Sequence, residues 1–262
     1  MDLGLEGTVA VVTGAGRGIG LAVTRTLAAE GAIVLAASRT VSADLAELAT
    51  GGHVVPVAAD LTDPTAAAGL MLQAGALGPV TVLVNNVGGV NPRTGGFASV
   101  TDDEWRDTFE LDVLTAVRTT RAALPTMVGA GRGAVVMVAS VNARLPDPAV
   151  IDYSAAKAAL TSFAKSLSKE VGGSGIRVNC VSPGPVATDL WLGDGGVAAT
   201  VSAATGDDTA QVVADAEASM VTGRFTTPAE VAALVAFLAS DRVAGNITGA
   251  DFVIDGGLTS EL

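Results

Sequence analysis

Short runs of β-branched and aliphatic residues alternate along this chain with longer stretches in which Ala and Leu recur among polar positions. The short runs predict strands near 8–13, 32–37, 53–58, 80–85, 133–140, 175–181 and 250–254. The longer stretches predict helices near 18–30, 42–50, 64–77, 102–128, 151–171 and 228–239. Strands that read as continuous apolar runs, without alternation, belong to a sheet buried on both faces. Seven strands separated by helices predict an α/β fold: a doubly wound, parallel, seven-stranded sheet in a three-layer αβα sandwich. In such a fold ligands sit at the carboxyl ends of the strands. The whole of 1–262 reads as one domain of this kind.

One segment breaks the rhythm. Residues 193–223 are rich in Gly, Ala, Thr and Asp, with a weak helical pattern near 209–220. An insert here reads as a lid over a site or as a tolerated surface loop, and its length favours the lid.

Composition narrows the function. Hydrophobic residues make up 49% of the chain, yet no apolar run approaches the roughly 18 residues that span a bilayer. The opening residues have neither a basic start nor a long apolar block, which predicts no secretory leader. The single cysteine, Cys180, cannot form an internal disulfide; a small buried strand residue is its simplest reading, and a cytoplasmic location follows. With one His and one Cys, no structural zinc site is expected. A net charge of −12 repels nucleic acid, anionic membranes and acidic carrier proteins alike. Small-molecule chemistry remains.

The first predicted strand ends in Thr13-Gly14-Ala15-Gly16-Arg17-Gly18-Ile19-Gly20 and runs directly into a helix. Glycines there allow a tight turn and let the backbone approach a pyrophosphate at the helix N-terminus. The spacing Gly14, Gly18, Gly20 is wider than the usual G-x-G-x-x-G. Where an NAD-binding chain places a carboxylate after its second strand, this one reads Ser38-Arg39-Thr40. Arg39 and Arg17 suit a 2′-phosphate through their planar donor forks, so NADP is favoured over NAD.

Ser140 closes the fifth predicted strand, and Tyr153-Ser154-Ala155-Ala156-Lys157 opens the next helix. Tyr153 and Lys157, at i and i+4, share one helix face. An ammonium beside a phenol favours the phenolate, giving a group able to exchange protons with an alcohol or carbonyl. Ser140 at its strand end can stabilise developing charge on the substrate oxygen.

With these motifs the chain resembles the short-chain dehydrogenase/reductase family, in its short single-domain branch with the Rossmann fold. The resemblance rests on Thr13 to Gly20, Asp60-Leu61, Asn85-Asn86-Val87-Gly88, Ser140, Tyr153 to Lys157 and Pro183-Gly184-Pro185-Val186-Ala187-Thr188, and covers nearly the whole length. It implies an NADP(H)-dependent oxidoreductase that moves a hydride between nicotinamide and a ketone or secondary alcohol. Tyr153 would act as the acid/base, Ser140 would polarise the carbonyl, and Lys157 would lower the Tyr153 pKa and bind the nicotinamide ribose. Asp60 and Leu61 would hold the adenine edge, Asn86 to Gly88 would line the cofactor cleft, and Pro183 to Thr188 would grip the nicotinamide amide and phosphates. The family commonly has asparagine in a proton relay where this chain has Asp112. If a backbone carbonyl serves that relay, Asp112 is tolerated unchanged; if the side chain serves it, a carboxylate alters the titration of Lys157.

The resemblance places pocket walls at 90–97, 141–150 and 190–220, with Leu145, Trp191, Leu192 and Met220 apolar and Asn91, Arg93, Asn142 and Arg144 orienting polar groups. Near relatives reduce carrier-bound 3-oxoacyl chains, but the places where they carry basic residues read 127–131 and 172–174 here, without a base. A free small molecule is the expected substrate. Small residues Ala155, Ala158 and Ala159 on a helix apolar on several sides suit the family's homotetramer, or a homodimer. A non-catalytic NADP(H) sensor is the main rival; it would not need Ser140, Tyr153 and Lys157 together. A methyltransferase would share only a glycine-rich turn, and an extended-branch epimerase needs a larger C-terminal region.

Overall fold

The computed structural model describes residues 2–260. Seven strands form one parallel sheet: β1 (Val9–Thr13), β2 (Ile33–Ser38), β3 (Val54–Ala58), β4 (Val80–Asn85), β5 (Gly133–Val138), β6 (Ile176–Pro183) and β7 (Asp251–Ile254). Their order, β3-β2-β1-β4-β5-β6-β7, reverses direction between β1 and β4. A crevice opens at such a switch point, outside the carboxyl ends of the strands.

The alternation of side chains on each strand builds two separate cores. Ala10, Val12, Val34, Ala36, Val136 and Val138 face one layer of buried apolar residues. Val9, Val11, Leu35, Ala37, Val135 and Met137 face the other. Helices α1 (Gly18–Ala29) and α10 (Pro228–Ala239) cover the first face and pack on each other. Helices α3 (Ala66–Gly75), α5 (Thr115–Ala130) and α6 (Ile151–Val171) cover the second. Helix α2 (Ala43–Ala49) lies at the β3 edge. None of the described helices is long and apolar enough to cross a membrane.

Most predicted elements form within a residue or two. Helix α10 begins at the predicted residue, and the structure shows Pro228 in its first turn and a reciprocal Thr227–Glu230 capping box. Two differences matter. The helix expected over 102–128 is interrupted: α4 (Asp102–Phe109) passes through a π-helical turn, Glu110–Leu114, before α5 begins. Such a turn inserts one extra residue into the helical winding and is often found at functional sites. Strand β5 stops at Val138, so Ser140 lies just beyond it and caps a short 3₁₀ turn, Val141–Ala143.

The 193–223 segment is folded. After a single turn, α7 (Asp189–Leu192), come α8 (Val197–Thr205) and α9 (Thr209–Ala218), which pack on each other. The weak pattern near 209–220 corresponds to α9; α8 was not foreseen. Cys180 is buried on β6, as expected, and burial pushes its thiol up to about 12.

Helix α6 is anchored at its first turn. The Asp152 carboxylate accepts hydrogen bonds from Arg93 (Nε, 3.1 Å) and Thr108 (Oγ1, 2.7 Å), while Arg93 also donates to Glu104 at 2.7 Å. Burial works against this carboxylate, but Arg93 and Thr108 outweigh it and hold Asp152 below the ordinary carboxylate range. A folded-state pKa below the unfolded one stabilises the protein above the unfolded value and loses that contribution as the pH falls through the folded value. Asp152→Asn is therefore expected to lower stability at pH 7 by about 3 kcal/mol, because Arg93 loses its buried counter-ion. The gap between parent and variant should close as the solution is acidified below pH ~4. Denaturant unfolding at several pH values measures both; a gap that persists in acid contradicts this account.

Candidate active site

The crevice at the strand ends is a cavity of about 1130 Å³. At one end lies the glycine turn between β1 and α1. Gly14 and Gly18 have φ of +66° and +56°, a region open to glycine and strained for other residues. At Gly20 the constraint is space: a Cβ would stand 2.2 Å from the Gly14 carbonyl oxygen. Asn86 ties the turn to β4, its Nδ2 donating to the carbonyls of Thr13 (3.1 Å) and Gly14 (3.2 Å), and its amide to Thr13 Oγ1 (3.0 Å). Ser42 Oγ donates to the Gly16 carbonyl at 2.6 Å and so links the turn to α2.

Arg17 and Arg39 both line this end of the cavity and form no ion pair among the described residues. Ser38 and Thr40 lie beside them, held together by Ser38 Oγ donating to the Thr40 carbonyl at 2.8 Å. Asp60 and Leu61 border the same region. Thr62 donates to the Asp60 carboxylate from its hydroxyl (2.7 Å) and amide (3.0 Å), which keeps Asp60 below the usual carboxylate range.

At the other end stand Ser140, Tyr153 and Lys157, with Pro183, Gly184, Val186 and Thr188 along the wall between. Ser140 Oγ accepts from the Asn142 amide (3.2 Å) and donates to Asn142 Oδ1 (3.1 Å), and it draws the Tyr153 phenol downward. Lys157 is buried. Its Nζ donates to the Val138 carbonyl (3.2 Å), sits 3.1 Å from Asp112 Oδ1, and stands 5.4 Å from the centre of the Tyr153 ring. Asp112, wholly buried on the π-helical turn, also accepts from the Gly89 amide at 3.3 Å. The approach is possible because residue 88 is glycine: a Cβ there would lie 2.6 Å from Asp112 Oδ1 and 2.9 Å from Lys157 Nζ. Every anticipated catalytic and cofactor-binding residue lines the cavity except Gly20 and Asp112; Gly16, Ile19, Val87 and Gly88 are among those on it.

The electrostatics differ from the sequence expectation in one respect. Lys157 pulls the Tyr153 phenol downward, as anticipated. Burial is the larger influence, however, and together with the Asp112 charge it pushes the phenol above its ordinary value. Burial also acts against the Lys157 ammonium, but Asp112 and the phenol outweigh it and the amine is raised above an ordinary lysine. Asp112 is itself pushed up by burial against the pull of Lys157.

Two arginines anticipated as substrate contacts are engaged elsewhere. Arg93 is held by Asp152 and Glu104, and Arg144 pairs with Asp251 at 3.0 Å, outside the cavity. Asn142, Leu145 and Trp191 do line the cavity, whereas Asn91, Leu192 and Met220 do not. The insert contributes Val197 and Val201 from α8 and Ala216 and Ser219 from the α9 end. Sequence reasoning missed Asp152, whose position next to Tyr153 was the available signal.

A family model described as short chain dehydrogenase matches residues 8–195. The chain is similar to the uncharacterized oxidoreductase YvrD of Bacillus subtilis, 35% identical with all of both chains covered. It is 34% identical to the 3-oxoacyl-[acyl-carrier-protein] reductase of Escherichia coli, over 98% of this chain and 99% of that one. Among solved structures, L-sorbose reductase from Gluconobacter frateurii, complexed with NADPH and L-sorbose, superposes with a TM-score of 0.90, at 33% identity and full coverage of both chains. The family match over residues 8–195, together with relatives at 34–35% identity along nearly the entire length, shows that this chain belongs to the short-chain dehydrogenase family.

Proposed function

We propose that the chain is an NADP(H)-dependent oxidoreductase acting on an uncharged small ketone or the matching secondary alcohol. The observation that carries this reading is the convergence of Ser140, Tyr153 and Lys157 on the cavity whose far end holds the glycine turn together with Arg17 and Arg39. The residues fit a dinucleotide. A Cβ at Gly14 or Gly20 would fill the space beside Asn86, and the N-terminus of α1 points its free amides at a pyrophosphate. Arg17 and Arg39 would hold the 2′-phosphate, Asp60 and Leu61 the adenine edge, Lys157 the nicotinamide ribose, and Pro183 to Thr188 the amide. When bound, the nicotinamide supplies or accepts the hydride. Tyr153 donates its proton to the carbonyl oxygen during reduction and takes it back during oxidation. Ser140 steadies charge on that oxygen through its hydroxyl.

The substrate end supports a ligand without negative charge. Val90, Val141, Leu145, Val150, Trp191 and Val201 form its walls, with Asn142, Ser219 and the carboxylates Asp147 and Asp189 among its polar groups. The cations on the cavity are Arg17 and Arg39 at the far end and Lys157, already paired with Asp112. A substrate carboxylate or phosphate would be buried without a partner. The same reasoning, with the −12 charge, argues against an acidic carrier as the substrate's bearer. Helices α8 and α9, over residues 193–223, are the lid of this site. The half-exposed Ala155, Ala158 and Ala159 on α6 are the surface on which two or four chains pair.

Tyr153→Phe is expected to lower turnover about 10²–10⁴-fold while cofactor binding, followed by nicotinamide fluorescence, is retained; unchanged turnover refutes the mechanism. Arg39→Ala should weaken NADPH by roughly tenfold or more and leave NADH nearly unaffected, since only the former carries the phosphate that a guanidinium grips. Equal losses for both cofactors would remove Arg39 from that role. Across pairs of keto esters and their free acids, kcat/KM should favour the ester by about tenfold or more; a preference for the acids would end the uncharged-substrate reading.

A further inference from the structure

The Asp112–Lys157 pair is unusual in what it does to the site's net charge. An acid/base phenol beside a lone buried ammonium would feel an uncompensated cation and lean towards the phenolate. Here an anion of opposite sign touches that ammonium at 3.1 Å, closer than the Tyr153 ring centre at 5.4 Å. The contact is built rather than incidental. The π-helical turn brings Asp112 to the lysine, and the bare Gly88 leaves room for both charged ends. The Gly89 amide fixes the carboxylate's orientation.

We propose that Asp112 acts through Lys157 as a positioning and charge-balancing residue, keeping Tyr153 in its proton-bearing form at neutral pH, so that the enzyme reduces carbonyls there and oxidises alcohols efficiently only in alkaline solution. In the favoured direction the carbonyl carbon receives the two electrons of a hydride from the reduced nicotinamide, and its oxygen receives the Tyr153 proton. In the reverse direction the phenolate must first exist to take the alcohol proton. The proposal rests on the reading of Tyr153 as the acid/base.

Other groups around the pair do not supply the same effect. On α6, Asp152 also faces this region, but its carboxylate is held by Arg93 and Thr108. On β6, Cys180 is the neighbouring titratable group, and its buried thiol carries no charge near neutrality. Ser140 beyond β5 and the Val138 carbonyl contribute dipoles only. Among the described residues, Asp112 is the carboxylate in direct contact with Lys157.

Tyr153 is the chain's only tyrosine, so the near-ultraviolet absorbance of phenolate reports this one group in the cofactor-free protein. Two neutral variants, Asp112→Asn and Asp112→Ser, are compared with the parent, with circular dichroism confirming that each is folded at every pH used. The Tyr153 transition is expected to fall by about one pH unit in a folded neutral variant. The pH profile of kcat/KM for alcohol oxidation should move downward by a similar amount. A transition that stays in place or moves upward overturns the proposal. So does alcohol oxidation by the parent that is already maximal at neutral pH, a result that needs no variant. A shifted titration without turnover of any carbonyl or alcohol would uphold the charge balance and reject the oxidoreductase reading instead; turnover with an unshifted titration would do the reverse.

Discussion

Placing an ammonium ion inside a protein is unfavourable by several kcal/mol unless other groups replace the water it loses. Lys157 is 3% exposed, and the architecture around it answers that demand. The carboxyl end of β5 offers the Val138 carbonyl, the π-helical turn offers the Asp112 carboxylate, and Gly88 stands aside for both. Three elements distant in sequence are thereby fixed relative to one nitrogen atom. Because Lys157 sits one helical turn after Tyr153, the same arrangement orients the phenol.

The sheet makes this economical. Its strands carry small and β-branched residues on both faces, so the two cores lock every strand end in place without help from the site. The reversal of strand order between β1 and β4 then leaves one long crevice. One end is shaped by backbone, where glycines and Asn86 close the turn; the other is shaped by side chains from α6 and the loops after β5 and β6. The walls that would discriminate between substrates come largely from the 3₁₀ turns after β5 and from α8 and α9. The groups proposed for chemistry and the walls proposed for selectivity thus lie on different parts of the fold.

Local patterns were enough to locate what repeats locally. Doubly buried strands are continuous apolar runs, and all seven were legible; so were the glycine turn, the span of α10 and the i, i+4 relation of Tyr153 and Lys157. The π-helical turn was not, because one extra residue in a long helix barely disturbs the hydrophobic period. Helix α8, with Val and Thr among its Ala residues, has weak intrinsic helix preference. The Arg93–Asp152 pair spans 59 positions and leaves no mark on either neighbourhood, so Arg93 was read as a substrate contact. The upward direction of the Tyr153 phenol was equally hidden, since burial belongs to the folded chain and cannot be counted along it. Spacing identified which groups meet; only packing decided how each one titrates.

The π-helical turn also makes the site sensitive to chain length. Loss of a single residue within 110–114 would let the winding become regular and rotate α4 relative to α5 by about 100° about the helix axis. The carboxylate now touching Lys157 would swing away, yet the sheet, the glycine turn and the serine, tyrosine and lysine would all keep their places. A one-codon deletion could in this way unplug the ammonium's counter-ion while leaving the rest of the enzyme assembled, a change that no comparison of motif residues would detect.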